Sequence, residues 1–319
     1  MKKIILIPII IGSALVVTGG VLLGIGLANS MSSTKSNTRE EVLTEDFTNF
    51  DFDLDVSDLT FVKTNDGTKK IVFQEQKKQF HEYTIQDGTL KVTFKDTRMW
   101  HEKWFSFGRI KATLYLPETN YGNLKIDTDT GDTNIPEDFT FDSFHLEGHT
   151  GDLTMSANVT NSYYAKLTTG DMRLSSITTK EMELKDDTGK MIVTDVDIQE
   201  DLTMNISTGD ITLKNVHAKN INKNKEGKGS TGKVKLINTV ASEKIVIKNG
   251  TGDILLTDSD AHDLNLECST GDIKGTLLTG KIFSASTHTG KVNVPPNDLS
   301  GGECIAKTST GDINLKIKA

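Results

Sequence analysis

Apolar and polar residues alternate along most of this chain, on both sides of a triplet, Thr-Gly-Asp or Thr-Gly-Lys, that recurs every 19–23 residues. Apolar residues stand seven and five positions before the glycine and two and four positions after it. The repeat around Gly209 shows this pattern with Leu202, Met204, Ile211 and Leu213. Alternation with a period of two on both sides of a turn predicts two short strands per repeat, each with one buried face.

The triplet marks the corner between the two strands. Its in-phase threonine and glycine pairs are Thr130 and Gly131, Thr150 and Gly151, Thr169 and Gly170, Thr188 and Gly189, Thr208 and Gly209, Thr231 and Gly232, Thr251 and Gly252, Thr270 and Gly271, Thr289 and Gly290, and Thr310 and Gly311. Glycine permits the positive φ that such a corner needs. The threonine is expected to face inward and to hydrogen-bond backbone groups that the corner leaves unpaired. A further triplet at 279–281 falls out of phase and is interpreted as unrelated to the repeat.

Stacking follows from the size of the repeat, because a two-stranded unit of about 20 residues cannot bury a core alone. The sequence therefore predicts an all-β fold, a β-solenoid of about ten coils over residues 123–319. Residues 46–122 contain further alternating segments and are predicted to form a β-rich cap over one end, since an exposed edge strand invites pairing. At the other end, Lys316 and Lys318 are expected on the edge strand, where they would discourage such pairing.

One coil is irregular. Residues 220–229 read NINKNKEGKG, which lengthens the repeat and lacks the usual apolar pair. This stretch predicts a surface loop with solvated lysines.

The N-terminus suggests a membrane segment. Residues 4–27 form an uncharged apolar stretch of 24 residues after Lys2 and Lys3, long enough to span a bilayer core of about 30 Å. The lysines place its start in the cytoplasm. A cleaved signal peptide ending near residues 28–30 is the alternative. Residues 1–30 are thus an anchor or signal peptide and residues 31–45 a polar linker. The expected location is the cell membrane, with a single pass and an extracytoplasmic C-terminal domain.

Composition excludes several functions. The net charge of −8 and the lack of a basic run argue against nucleic-acid binding. Two cysteines, Cys268 and Cys304, provide neither a disulfide framework nor a multi-cysteine zinc site. Aspartate follows most corner glycines, which resembles a calcium ladder, but Lys190, Lys233 and Lys291 replace it in three repeats. An ammonium group would repel calcium, so we interpret the row as a structural charge ladder and predict no metal or cofactor.

An enzyme acting on glycans from a β-helix is the catalytic alternative. Such a site needs unique carboxylates and often a basic residue on one face. Here the prominent aspartates occupy repeated positions, and Arg173 is the only arginine after residue 122. We predict no catalytic residue.

Both tryptophans lie in one aromatic segment, which contains Trp100, Trp104, Phe105 and Phe107. These residues either plug the open end of the solenoid or form an exposed loop that contacts a partner.

The repeated stretches STGDITL (207–213), GTGDILL (250–256), STGDIKG (269–275) and STGDINL (309–315) carry a family resemblance. Over residues 46–319 the chain resembles the bacterial putative-adhesin family of β-solenoid domains, and it is similar to the Lia-type accessory proteins of Gram-positive envelope-stress systems. The resemblance implies an extracytoplasmic module without catalytic activity.

Three hypotheses for function follow. The first is a membrane-anchored adhesin-like or scaffold module of the cell envelope that contacts an envelope protein or a glycan. The second is an accessory protein of an envelope-stress response that binds a membrane partner. The third is the glycan-active enzyme.

Overall fold

The computed structural model describes residues 36–102, 109–117, 120–224 and 229–319. Strands are the only extended regular structure in these ranges, and they join into one 27-stranded sheet. Within the same ranges, no helix has the length and apolar character that a membrane crossing requires. The predicted membrane segment, residues 4–27, lies outside the described residues.

The strands fall into an N-terminal group and a repeated group. The N-terminal strands are β1 (Asn37–Val42), β2 (Asn49–Asp53), β3 (Ser57–Thr64), β4 (Lys70–Glu75), β5 (Gln79–Gln86), β6 (Thr89–Asp96) and β7 (Ile110–Pro117). The repeated strands are β8 (Asn120–Thr130), β9 (Thr133–Ile135), β10 (Thr140–Thr150), β11 (Leu153–Met155), β12 (Asn158–Thr169), β13 (Met172–Ser175), β14 (Thr178–Thr179), β15 (Glu181–Thr188), β16 (Met191–Ile198), β17 (Asp201–Thr208), β18 (Ile211–Lys223), β19 (Val234–Ile237), β20 (Val240–Thr251), β21 (Ile254–Thr257), β22 (Asp260–Thr270), β23 (Ile273–Leu277), β24 (Ile282–Thr289), β25 (Val292–Asn293), β26 (Glu303–Thr310) and β27 (Ile313–Ile317).

The repeated strands form a β-solenoid of about ten turns, as the sequence predicts. We call one strand pair with the corner between it a rung, name each rung by its corner glycine, and count positions from that glycine. Neighbouring rungs pair in parallel and in register, so that Leu184 aligns with Ala165 on one side and with Met204 on the other. Residues at positions −7, −5, +2 and +4 fill the narrow core, and those of the Gly209 rung are fully buried.

The N-terminal strands continue the stack beyond the Gly131 rung. Strands β2 and β3 form a rung in which Ser57 takes the place of the corner glycine, since Phe50 aligns with Leu124 and Leu59 with Thr133. Strands β6 and β7 pair with the other side of β2 and β3, while β1, β4 and β5 add antiparallel pairings. The spatial order is therefore β6–β7, β2–β3, β8–β9, which differs from the chain order.

Strand β1 also differs from expectation, because it lies inside the predicted polar linker, residues 31–45. Its sequence, NTREEV, contains almost no apolar residue. Backbone pairing with β4 and an ion pair from Arg39 to Glu75, 2.9 Å between Nη2 and Oε1, hold it in place. Hydrophobic patterning could not reveal a strand held in this way.

The C-terminal rungs are also out of chain order. Strand β26 lies between β22 and β24, and β27 lies between β23 and β25. The last rung of the chain, that of Gly311, is thus inserted between the Gly271 and Gly290 rungs. The prediction that Lys316 and Lys318 lie on the edge strand is wrong in part. Strand β27 lies between β23 and β25, but β25 pairs only with Ile313 and Asn314, so the Lys316 end of β27 has a strand on one side only. Lys318 follows β27 and pairs with Asp258 at 2.6 Å. The period identifies rungs but not their order, since neighbouring rungs present nearly identical edges.

A buried ion pair fixes the place where the chain skips one rung. Asp260 is 4% exposed and Lys281 is 2% exposed, and Nζ lies 2.9 Å from Oδ1. The second carboxylate oxygen of Asp260 accepts hydrogen bonds from the backbone N–H groups of Leu278 and Thr279 and from the Thr279 hydroxyl. The interpretation of the triplet at 279–281 as unrelated to the repeat is therefore wrong. Its Thr279 and Lys281 bind Asp260 at the point where the chain passes over one rung position, which the Gly311 rung later fills.

The irregular coil contains a buried lysine. Lys223 aligns with the core residues Met204 and Ile247 and is 1% exposed. Its ammonium group donates to Ser230 Oγ at 2.6 Å and to Asn249 Oδ1 at 2.9 Å. The expectation of solvated lysines is wrong for this residue, because its hydrogen bonds replace the contacts of an apolar side chain. Residues 225–228 lie outside the described residues.

Candidate binding surface

The corners stack into one edge that runs along the solenoid. At Gly209 φ is +138°, a conformation that side chains disfavour. A Cβ atom added there would overlap the carbonyl oxygen of Gly189 in the neighbouring rung. The other corner glycines lie equally close to a neighbouring carbonyl group. Glycine is needed at this edge because of the close approach of rungs at every corner and, at every corner except Gly189, also because of the backbone angle.

The aspartates after the corner glycines connect successive rungs. Each carboxylate accepts a hydrogen bond from the backbone N–H of the equivalent residue in the next rung, at 2.8 Å from Asp171 to Asp152. In spatial order the acceptors are Asp58, Asp132, Asp152, Asp171, Asp210, Asp253, Asp272 and Asp312. The last donor is Lys291, in the Gly290 rung, beyond which no further rung follows among the described residues. Because these carboxylates bond the backbone, this row stabilises the stack.

The ten corner threonines, at position −1, face outward. All of them are exposed, so the expectation that they face inward is wrong. The alternation already slips at position −2, where the register between rungs skips a residue, as between Gly148 and Thr150. Position −3 keeps the inward phase of −7 and −5, and because of the slip positions −2 and −1 are both on the outer side, except in the Gly232 rung, where Ser230 at −2 is buried.

In five rungs, a side chain at position −3 instead donates a hydrogen bond to a corner carbonyl. The Thr308 hydroxyl donates to the Gly271 carbonyl at 3.0 Å, and Thr287 donates to Gly311 at 2.9 Å. The Asn249 amide donates to the Gly232 carbonyl at 2.9 Å. The recurrence of Thr, Asn and Cys at −3 was the sequence signal for this donor row.

Asp186 occupies the same inward row but carries an acidic group. It is 3% exposed, and its Oδ2 has no hydrogen-bond partner among the described residues. Oδ2 and the Gly170 carbonyl oxygen both lie beside the point where a Cβ of Gly189 would stand. Burial raises the pKa of Asp186 to about 7, and the charges of Asp187 and Asp171 add to the rise. A protonated carboxyl group can act as a donor, which is what this row supplies elsewhere.

Replacing Asp186 by Asn is expected to stabilise the fold at pH 8 by about 1–3 kcal/mol. The pKa of this carboxyl is about 4 in the unfolded chain and about 7 in the folded chain. Between these values only the folded state holds the proton, so stability falls as pH rises towards 7 and changes no further above it. An amide has no such cost. Urea unfolding at pH 4 and pH 8 measures the effect. Asp187→Asn, at the exposed neighbour, is the comparison: it removes only one charge that adds to the rise, so it should give a small part of the gain at pH 8. An equal gain for Asp186→Asn at both pH values would contradict the account.

Two stretches of open groove follow the corner edge, between the outward residues at positions −4 and −2. The larger has a volume of about 620 Å³ and crosses the Gly252, Gly271, Gly311 and Gly290 rungs. The smaller, of about 160 Å³, crosses the Gly131, Gly151 and Gly170 rungs. The grooves form because the inward turn at −3 leaves a depression between two outward rows. No cluster of metal-ligating side chains occurs in the part of the chain that the structure describes.

A Ser–His–Glu arrangement occurs at the N-terminal rungs. Ser57 Oγ lies 2.8 Å from His81 Nε2, and His81 Nδ1 lies 3.2 Å from Glu75 Oε1. Although burial opposes it, hydrogen bonds from His81 and Arg39 hold the pKa of Glu75 at about 2. Ser57 is 1% exposed, so its hydroxyl cannot meet a substrate in this conformation. We interpret the set as a buried polar network that ties β4 and β5 to the Ser57 rung. Sequence reasoning missed it because no spacing rule links these residues.

The aromatic segment is only partly described. Trp100 is 73% exposed and contacts His101 edge-on, at 5.6 Å between ring centroids. Trp100 is therefore not a buried plug. Trp104, Phe105 and Phe107 lie outside the described residues.

Comparison with known proteins gives one family. The profile of the family described as Toastrack DUF4097 matches residues 47–237 and 197–319. A solved structure of a putative adhesin from Bacteroides fragilis is 14% identical, covers 90% of this chain and 98% of its own, and has a TM-score of 0.41. A putative adhesin from Parabacteroides merdae is 13% identical, with coverages of 87% and 96% and a TM-score of 0.45. A putative lipid binding protein from Parabacteroides distasonis is 13% identical, covers 88% of this chain and 96% of its own, and has a TM-score of 0.44. No curated protein matches the chain.

Proposed function

The chain belongs to the Toastrack DUF4097 family, and from this premise we propose that it is a non-catalytic, adhesin-like module of the bacterial cell envelope. The observation that carries the proposal is the corner edge. It exposes ten threonines in register, one per rung, at intervals of about 4.8 Å. A stiff stack that presents the same polar groups at regular intervals suits repeated weak contacts with an extended ligand, which add up through multivalency.

The proposal places the apolar stretch at residues 4–27 in the membrane, as an anchor, with the solenoid outside the cytoplasm. Two features support this arrangement: the length of the apolar stretch and the two lysines before it. Strands β1, β4, β5, β6 and β7 would then cap the solenoid at the end nearest the membrane.

A second function, that of an accessory protein for a membrane partner, is favoured by one observation. Met99 and Trp100 are 63% and 73% exposed on a turn in the N-terminal part of the fold. Large exposed apolar side chains side by side are typical of contact surfaces. In the anchored arrangement this turn would lie near the bilayer, where it could contact a neighbouring membrane protein.

The location is tested in cells that express the whole chain. Protease added to intact cells should degrade the solenoid, and the chain should fractionate with membranes. Cells that display the chain should bind immobilised envelope material more strongly than cells that lack it. A chain that stays in the cytosol, protected from protease, would contradict the proposal. Loss of partner capture in a Trp100→Ala variant, with adhesion unchanged, would favour the accessory function instead.

A further inference from the structure

The larger groove differs from the rest of the corner edge in its residues at position −2. These residues are small or uncharged in three neighbouring rungs: Gly250, Ser269 and Ser309. In the first rungs the same position carries bulkier side chains, such as Asp129 and His149. The larger groove thus lies where three successive side chains at this position are small, and it ends at the bulkier His288 in the terminal Gly290 rung.

The charged side chains at position −4, along the other side of the larger groove, are unpaired among the described residues. Lys248, Glu267 and Lys307 align at position −4 of adjacent rungs. None of their side chains has an ion pair or hydrogen bond among the described residues. In the first rungs the charges at −4 are engaged: Asp127 pairs with Lys125 at 2.6 Å, and Lys166 pairs with Glu147 at 3.8 Å. The charged side chains at position −4 are therefore ion-paired in the first rungs and are available to a ligand at the larger groove.

The groove thus combines donors, acceptors and hydroxyl groups in the open. The lysines can only donate hydrogen bonds, the glutamate can only accept them, and Ser269, Ser309 and Ser286 can do both. A ligand that complements such a mixture must itself carry groups that both donate and accept, and sugar hydroxyls do. The central carboxylate of Glu267 disfavours a polyanion. The groove crosses four rungs, on the order of 15 Å, which accommodates several consecutive sugar units.

We propose that this groove, across the Gly252, Gly271, Gly311 and Gly290 rungs, binds an extended neutral polysaccharide strand that runs along the solenoid axis. The inference rests on the proposed adhesin-like function and names its ligand class. No tryptophan, tyrosine or phenylalanine lines the groove, and its one ring is His288 in the terminal Gly290 rung, so stacking on sugar rings is not the main contribution. Charge-assisted hydrogen bonds to hydroxyls supply the contacts.

The test uses the full chain in detergent and two neutral oligosaccharides, chitohexaose and maltohexaose, with binding followed by calorimetry. The variant Glu267→Ala/Lys307→Ala removes register neighbours from the larger groove. The matched control, Glu147→Ala/Lys166→Ala, removes register neighbours at the same repeat position in the smaller groove. The expected result is binding of at least one oligosaccharide, weakened about tenfold or more by the first variant and unchanged by the control. Thermal unfolding should differ little between the two variants, since the exposed Glu147–Lys166 pair that only the control loses contributes at most about 1 kcal/mol.

Three results would overturn the proposal: neither oligosaccharide binds, the two variants weaken binding equally, or polyglutamate competes as well as the sugars. Adhesion of cells that display Glu267→Ala/Lys307→Ala separates this inference from the function on which it rests. If such cells still adhere as well as cells with the unaltered chain, the proposed function stands and the groove is not its binding site.

Discussion

Replacing Lys281 by Met is expected to lower the free energy of unfolding by about 3–5 kcal/mol, because it leaves the buried carboxylate of Asp260 without its partner. The lysine also donates to the backbone carbonyl of Ala261 at 2.5 Å and to the Thr279 hydroxyl at 2.8 Å. These bonds hold the segment in which the chain skips a rung. Loss of these bonds should therefore loosen the Gly290 rung, whose strand β24 is attached to the stack by its pairing with β26.

The control for this prediction is Lys318→Met. Lys318 also forms an ion pair, with Asp258 at 2.6 Å, but its side chain is about half exposed. An exposed pair contributes at most about 1 kcal/mol. Urea unfolding of both variants measures the difference. If Lys281→Met costs no more than Lys318→Met, the buried pair does not hold the rung order in place.

Replacing Gly209 by Ala is expected to cost about 3 kcal/mol or more. Two effects add: the φ of +138° is unfavourable for alanine, and the new methyl group would overlap the Gly189 carbonyl oxygen. The Gly189 corner cannot move aside easily, because hydrogen bonds hold it on both sides: its N–H donates to the Thr208 carbonyl, and the Lys190 N–H donates to Asp171. We expect either unfolding at 37 °C or a large fall in the thermal midpoint.

Gly67→Ala separates these two effects. Gly67 also has a positive φ, +76°, but nothing lies within 4 Å of the point where its Cβ would stand. Its substitution should cost only about 1 kcal/mol, the backbone contribution alone. Equal costs at Gly67 and Gly209 would mean that close stacking of the corners does not determine the need for glycine.

The solenoid could be predicted because each rung repeats the same physical requirements. Core positions must be apolar, and the corner must be glycine because a neighbouring backbone occupies the space of a side chain. Both requirements recur with the period, so they are visible in one sequence. The direction of the corner threonines was not visible. Strict alternation predicted an inward threonine, and the slip at position −2 reversed it.

Rung order and the polar networks could not be predicted, for a different reason. The repeated strands have similar backbone edges and similar apolar faces, so each could pair almost equally well with several others. The order of the rungs therefore depends on a few residues such as Asp260 and Lys281. A buried pair of this kind has no periodic signature. The same applies to Ser57, His81 and Glu75, which come together only after β4 and β5 fold against the stack. The binding groove could be predicted only in part, since its hydroxyl and charged residues are common in any exposed strand.

Disulfide cross-linking of corner residues tests the central claim, a stack of rungs whose last two exchange places. Thr310 aligns with Thr270 on one side and with Thr289 on the other. Adjacent rungs lie about 4.8 Å apart, which is within the Cα separation that a disulfide spans, and the Thr270 and Thr289 rungs lie about twice as far apart. We expect Thr270→Cys/Thr310→Cys and Thr289→Cys/Thr310→Cys to cross-link on oxidation and Thr270→Cys/Thr289→Cys to remain reduced. Rapid cross-linking of the last pair, without the first, would show rungs stacked in chain order and contradict the account.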